Sequence, residues 1–230
     1  MPPISLRNVG SNGLILDNAV DEFLMPSGAV SWAVNVHFDR IGAVTTRKGV
    51  TQLGGDVSQG NSCLGIHQFL DTGTGTNDRL ITAFTTVWYA LVSGVWTSKR
   101  SGLTAGKKTR FTNFVDLVFG VNGTDAMQSW DGGAGNFSTT NVASAPAASF
   151  IENFRSRVWA GSTSANPSRL TYSSVADSSG AILWTGADSS FIDIAPGDGE
   201  DMTGIKKHKN TLLVFKPSTV YRVFSISETE

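Results

Sequence analysis

The chain has 230 residues, with 18 lysines and arginines against 19 aspartates and glutamates, so its formal charge is −1 at pH 7. This balance argues against bulk electrostatic capture of DNA, because a non-specific nucleic-acid binder carries a clear basic excess. The composition is rich in serine, threonine and glycine, and runs of strong helix formers are missing. It therefore predicts an all-β protein built from many short strands joined by turns.

Cysteine and histidine are scarce. Cys63 is the one cysteine, which excludes an internal disulfide, and His37, His67 and His208 do not have the spacing of metal ligands. The first ten residues lack the charged and apolar regions of a signal peptide. We therefore expect a chain made in the cytoplasm that holds no metal or other cofactor.

Residues 1–60 are expected to form an extended or strand-forming N-terminal segment, with one helical turn over Pro26–Val36 capped by Ser27. The next notable segment, Leu80–Ser98, has no charged residue and is long enough for a transmembrane helix. Its six hydroxyl residues, its β-branched residues and the Ser93-Gly94 turn signal instead favour two strands around a tight hairpin.

From residue 61 to residue 230 the pattern is strand, turn, strand. The predicted strands are RLITAFTT, VWYALV, GVWTS, FVDLVFGVNG, AMQSWDG, RVWAGST, RLTYSSV, FIDIA, TLLVFK and TVYRVFSIS. Asn113-Phe114 and Asn153-Phe154 precede similar strand pairs forty positions apart. A unit of roughly 40 residues, present about four times, predicts a β-propeller-like array of short antiparallel meander sheets.

Two further expectations follow from this repeat. Trp159 and Phe215 are assigned to equivalent inward positions of successive strands. The last unit, Thr211–Ser227, contains two recognisable strands, so its edges require another partner. The N-terminal segment, another copy, another protein or further sequence would each supply that partner.

Sequence signals for chemistry are weak. Gly102–Thr109 has three residues between its glycines, whereas a phosphate-binding loop has four. The acidic turn containing Asp193, Asp198, Glu200 and Asp201 does not reproduce the ligand positions of a calcium loop. Cys63 stands beside apolar residues and is more typical of a small buried side chain than of a nucleophile. No catalytic residue is therefore predicted.

The remaining candidate residues are basic and are placed at turns between strands. Turns at one end of a propeller point in the same direction, so these side chains are candidates to face a neighbouring subunit or a channel. They are Lys107, Lys108, Arg110, Lys206, Lys207 and Lys209.

The order of the segments resembles a known family. Met25, Pro26, Gly28 and Ala29 are followed by Asn35, Val36 and Phe38, and then by Arg47, Lys48 and Gly49. Later come VFGVNGTDAMQSWDG, RVWAGSTSANPSRLTYSS, ILWT and FIDIAPGDGEDMTGIKKHKNTLLVFKPSTVYRV. This ordered set resembles the bacteriophage tail nozzle proteins and related β-propeller-like tail proteins of the virion.

The resemblance implies a non-enzymatic structural component of a phage tail, or of the neck that joins head to tail. It would assemble as a homo-oligomeric ring, sixfold in the tail or twelvefold in the neck, contact other virion proteins, and let double-stranded DNA pass during ejection. The alternative function, from a different class, is a carbohydrate-binding or glycan-cleaving β-propeller that serves as a receptor-binding or depolymerase component.

Overall fold

The computed structural model describes residues 36–40, 43–46, 51–57, 62–73, 75–177 and 181–224. By its contacts the chain divides into two compact units, Met1–Gln52 and Leu53–Glu230. In the first unit, β1 and β2 form an antiparallel hairpin over Val36–Arg40 and Ala43–Thr46. The helical turn predicted before Val36 lies outside the described residues, as do Arg47, Lys48 and Gly49.

The second unit contains four small antiparallel sheets in its described part, which confirms the predicted all-β class. Each sheet is a meander in which strands adjacent in sequence pair with one another. The first sheet comprises β3 to β6, at Cys63–Phe69, Arg79–Phe84, Val87–Val92 and Val95–Arg100. The second comprises β7 to β9, at Arg110–Phe114, Leu117–Val121 and Gln128–Trp130.

The third sheet comprises β10 to β13, at Phe150–Phe154, Arg157–Gly161, Arg169–Tyr172 and Ser190–Asp193. The fourth comprises β14 to β16, at Gly204–His208, Thr211–Phe215 and Val220–Val223. A 3-10 turn covers Thr140–Val142. The described residues include no helix long and apolar enough to cross a bilayer.

The uncharged segment Leu80–Ser98 lies in three strands of the first sheet and includes the hairpin that its Ser93-Gly94 turn predicted. Ser93 and Gly94 connect β5 to β6 with φ angles of 51° and 80°. Two consecutive positive φ values are typical of the two-residue turns whose twist matches that of the flanking strands. The local turn therefore fixes the hairpin.

Three hydrophobic cores lie between consecutive sheets. Phe69, Ile81 and Trp88 of the first sheet pack against Val118 and Trp130 of the second. The core between the second and third sheets and the core between the third and fourth are built in the same way. Each core is therefore shared by two neighbouring sheets, and the two inner sheets contribute residues on both faces.

One glycine marks how closely the first two sheets approach. A Cβ atom at Gly120 in β8 would lie 2.7 Å from the ring of Trp88. Any larger residue at this position would displace the indole from the core.

The first strand of each sheet was missed by the sequence prediction. These strands are β3, β7, β10 and β14, and they contact one another in this order along the chain. Their sequences CLGIHQF, RFTNF, FIENF and GIKKH mix apolar and polar residues. The usual pattern of apolar and polar alternation is therefore weak in them, although each is a full member of its sheet.

The expected equivalence of Trp159 and Phe215 is wrong by two residues. The β10–β11 hairpin closes with Phe154 opposite Arg157, and the β14–β15 hairpin closes with His208 opposite Thr211. Counting from these hairpins places Leu213 at the position of Trp159. Trp159 is buried in the core between the third and fourth sheets, whereas Phe215 is only partly buried.

Candidate functional site

A row of polar side chains follows the first strands from sheet to sheet. In β10, the Asn153 amide donates a hydrogen bond to the backbone carbonyl of Asn113 in β7. The Asn113 amide in turn donates to the backbone carbonyl of Gln68 in β3, at 3.1 Å. The same bond therefore occurs at two successive junctions, between residues at equivalent positions of their hairpins.

The row continues into the fourth sheet with a lysine. Lys207 in β14 occupies the position equivalent to Asn153, and its Nζ lies 3.4 Å from the Asn153 Oδ1 atom. The neighbouring Lys206 forms an ion pair with Glu152 at 2.7 Å. The Glu152 side chain is mostly buried and that of Lys206 is exposed. The ion pair therefore provides the buried Glu152 carboxylate with a positive charge from the next sheet.

His67 joins the row from β3. Its Nε2 atom lies 2.6 Å from the Asn113 Oδ1 atom, and its ring stacks on Phe111 with centroids 5.9 Å apart. Burial of the ring and the nearby positive charge of Lys206 lower the pKa of His67 below 6.5, against the opposing effects of Asn113 and Glu152. The imidazole is therefore neutral near pH 7 and donates its Nε2–H to Asn113.

The predicted basic residues fall into two groups at opposite ends of the first strands. Lys107 and Lys108 are exposed in the connection before β7. Arg110 begins β7, donates to the Ser149 carbonyl at 2.9 Å and lies over the Phe150 ring at 4.2 Å. Lys209 follows the end of β14 in an exposed turn. The structure does not bring the two groups together within its described residues.

Three of these residues were wrongly placed at turns. Arg110, Lys206 and Lys207 lie inside strands, where polar partners on neighbouring sheets satisfy their side chains. The sequence prediction also missed His67 and Glu152. The forty-residue interval between Asn113 and Asn153 aligns Glu152 with Thr112, but no sequence signal points to His67.

The acidic turn is satisfied by side chains of the protein itself. Lys216, whose side chain is 0% exposed, lies 2.8 and 2.9 Å from the two Asp198 carboxylate oxygens. Arg169 makes a two-point contact with Asp193 at 2.8 and 2.9 Å. The Glu200 carboxylate accepts the Ser218 backbone N–H at 3.3 Å. The Asp198 carboxylate of this turn is therefore paired with the ammonium group of a buried lysine.

Other candidates are placed as follows. Cys63 is exposed rather than buried, and its Sγ atom lies 3.3 Å from the Thr82 Oγ1 atom. Among the described residues no group of three or more His, Cys, Asp or Glu side chains is arranged to hold a metal ion. Four tryptophans are buried in the cores; they are Trp88, Trp130, Trp159 and Trp184.

Comparisons with known proteins give little further information. No protein-family model matches the chain, and no curated protein matches it. The crystal structure of the computationally designed Ika4 protein is similar to this chain, with 9% sequence identity and a TM-score of 0.49. The match covers 76% of this chain and 99% of the designed one. A likeness at this level carries no argument about fold or function.

Proposed function

We propose that the chain is a non-enzymatic structural subunit of a bacteriophage tail, or of the neck between head and tail. In this proposal the four sheets are the blades of a β-propeller-like array, and copies of the chain assemble into a ring through which double-stranded DNA passes. The observation that carries the proposal is the repeated junction between first strands, in which Asn153 bonds to Asn113 and Asn113 bonds to Gln68.

The repeated junction supports a propeller-like arrangement for a geometric reason. In a propeller, each blade is a small meander sheet that stacks face to face on the next one, and the blades surround a central channel. Here each consecutive pair of sheets shares one core, and the first strands contact one another in chain order. Equivalent bonds at two successive junctions support a similar rotation from the first sheet to the second and from the second to the third.

Ring assembly is supported by the two outermost sheet faces. Each unit of a repeat array buries its apolar faces against its neighbours. On the first sheet, Ile66 is 67% exposed, and on the fourth sheet Val220 is 55% exposed. Neither face is covered by another of the four sheets. A second copy stacked head to tail would cover both faces, and contacts of this kind close into rings when the rotation permits.

The row of amides gives this contact a specific geometry. Gln68 occupies the first-sheet position equivalent to Asn113 and Asn153, but its exposed amide has no hydrogen-bond acceptor among the described residues. Lys207 occupies the equivalent position of the fourth sheet. In the proposed contact, the Gln68 amide of one copy donates to the Lys207 backbone carbonyl of the next, which repeats the internal junction.

Weak contact with DNA fits this role better than tight binding. A phosphate held firmly by several lysines would oppose the sliding of DNA through a channel. Lys206 and Lys207 are already engaged by Glu152 and Asn153. The chain's formal charge of −1 also limits repulsion between copies packed around one axis.

The proposal is tested on purified virions. Mass spectrometry should detect this chain in a fixed ratio to the other tail proteins, and electron cryomicroscopy should place it in a rotational ring of the tail or neck. A virion without the chain, or a monomer that decorates the capsid, would contradict the proposal.

The head-to-tail contact is tested separately in solution. Ile66→Glu and Val220→Glu each place a charge on one outer face, so each should shift the isolated protein from oligomer to monomer in analytical ultracentrifugation. Leu183→Glu is the matched control, because Leu183 is exposed in the connection between β12 and β13 and belongs to neither face. A wild-type protein that is monomeric at all concentrations would rule out this contact.

A further inference from the structure

A small polar cavity lies between the last strand of the first sheet and the connection that follows β9. Its volume is about 140 Å³, and its walls are Ser98, Lys99, Arg100, Ser101, Asn136 and Phe137. This space is large enough for a small ion together with water molecules. A tetrahedral oxyanion with one or two waters is of this size.

Lys99 brings an unneutralised positive charge to this cavity. The residue is only 6% exposed, and its Nζ atom lies 3.4, 3.2 and 3.1 Å from the backbone carbonyls of Gly133, Ala134 and Gly135. The ammonium also lies 5.0 Å from the centre of the Trp130 ring. These contacts satisfy its three N–H groups but provide no negative charge. Burial of a charge without a counter-charge is costly.

Arg100 adds a second positive charge and a free donor. Its Nε atom is buried and has no hydrogen-bond partner. Neither Lys99 nor Arg100 forms an ion pair with a carboxylate of the described residues. Asp125 interacts electrostatically with Arg100 without forming an ion pair with it. The Asp125 carboxylate accepts hydrogen bonds from Asn122 and Thr104 instead. A buried donor without a partner requires an explanation, and an ion is one of the usual ones.

The rim of the cavity has further donors. The hydroxyl groups of Ser98 and Ser101 and the side-chain amide of Asn136 have no hydrogen-bond partner among the described residues. A guanidinium beside hydroxyl and amide donors matches the several oxygen atoms of a phosphate or sulfate group. A cation would be repelled by the same two side chains.

We propose that this cavity is a binding site for a small oxyanion, with inorganic phosphate as its representative ligand. Arg100, Ser98, Ser101 and Asn136 donate hydrogen bonds to the anion, and Lys99 supplies charge without direct contact. The site lies within the second unit and does not depend on the oligomeric state or on the virion role of the chain.

The experiment measures phosphate binding to the purified full chain by isothermal titration calorimetry, with sodium chloride at equal ionic strength as the reference. Arg100→Gln should weaken phosphate binding by about tenfold to a hundredfold, since it removes charge-assisted hydrogen bonds. Sulfate should compete with phosphate. Lys107→Gln is the matched control, because it removes an equal charge from an exposed position outside the cavity, and it should bind phosphate like the wild type.

A second variant distinguishes a loss of phosphate binding from misfolding. Ser101→Ala removes one exposed hydroxyl and leaves the buried charges in place, so the protein should remain folded and bind phosphate several-fold more weakly. Saturable binding that is lost in Arg100→Gln and reduced in Ser101→Ala supports the site. No saturable binding, or equal affinities in the wild type and both cavity variants, would overturn it.

Discussion

The Asn153 side chain in β10 donates a hydrogen bond to the backbone carbonyl of Asn113 in β7, forty residues earlier in the chain. The two residues have the same place in their hairpins, next to the last residue of the first strand. The repeat visible in the sequence therefore corresponds to a physical contact between successive sheets.

Asn153→Ala should destabilise the isolated protein by about 0.5–1.5 kcal/mol, because it removes one intersheet hydrogen bond and an acceptor for Lys207. Urea denaturation monitored by tryptophan fluorescence measures the change. Gln68→Ala is the matched control: it removes an amide at the equivalent position that has no acceptor among the described residues, so monomer stability should change little. Equal effects of the two substitutions would show that the row of amides does not stabilise the sheets.

Trp159→Ala should destabilise the protein by about 3–5 kcal/mol. The indole is 2% exposed, packs against Tyr172 with ring centroids 4.8 Å apart, and donates to the Phe154 carbonyl at 3.0 Å. Its removal leaves a cavity in the core between the third and fourth sheets. Phe191→Ala serves as the comparison, because Phe191 is exposed and should give a much smaller loss of unfolding free energy. A loss below 1 kcal/mol for Trp159→Ala would contradict this packing.

The later strands of each sheet were predictable from sequence because they are rich in apolar, aromatic and β-branched residues. VWYALV and RVWAG place aromatic and β-branched residues against a core, and glycine, asparagine and proline mark many of their turns. The recurrence of about four units and the forty-residue interval between Asn113 and Asn153 were also visible. These signals are local, so one sequence is sufficient to read them.

The first strands were not predictable in the same way, since their partners are distant in sequence. Glu152 and Lys206 would normally indicate exposed loops, and their strand position becomes understandable only from their 2.7 Å ion pair across two sheets. Lys99 lies in β6, where three backbone carbonyls surround its ammonium in a buried site. Long-range polar contacts have no periodic signature in the sequence.

Lys216→Met should lower the melting temperature and reduce the acid sensitivity of the protein. Hydrogen bonds from Lys216 hold the pKa of Asp198 below its ordinary value of 3.8. A carboxyl group with a lowered pKa stabilises the folded state above its unfolded pKa, and this contribution is lost as the pH falls through the folded pKa. The wild type should therefore lose stability below about pH 4 more steeply than the variant. Lys209→Met, which changes an exposed lysine, should keep the wild-type acid profile.

Lowering the pH below 6.5 should also destabilise the folded protein, because the buried His67 imidazole resists protonation. Burial and the charge of Lys206 lower its pKa below 6.5, so the unfolded chain binds a proton at a higher pH than the folded chain does. The stability that the neutral imidazole contributes is present above pH 6.5 and declines as the pH falls from there toward the folded pKa.

The measurement is the unfolding free energy from urea denaturation between pH 7.5 and pH 5.5. The wild type should lose stability over this interval, and His67→Gln should lose less, because glutamine preserves a donor toward Asn113 and does not titrate. His208→Gln is the matched control, since His208 is exposed at the end of β14. If His67→Gln kept the wild-type pH profile, the placement of His67 beside Asn113 would be wrong.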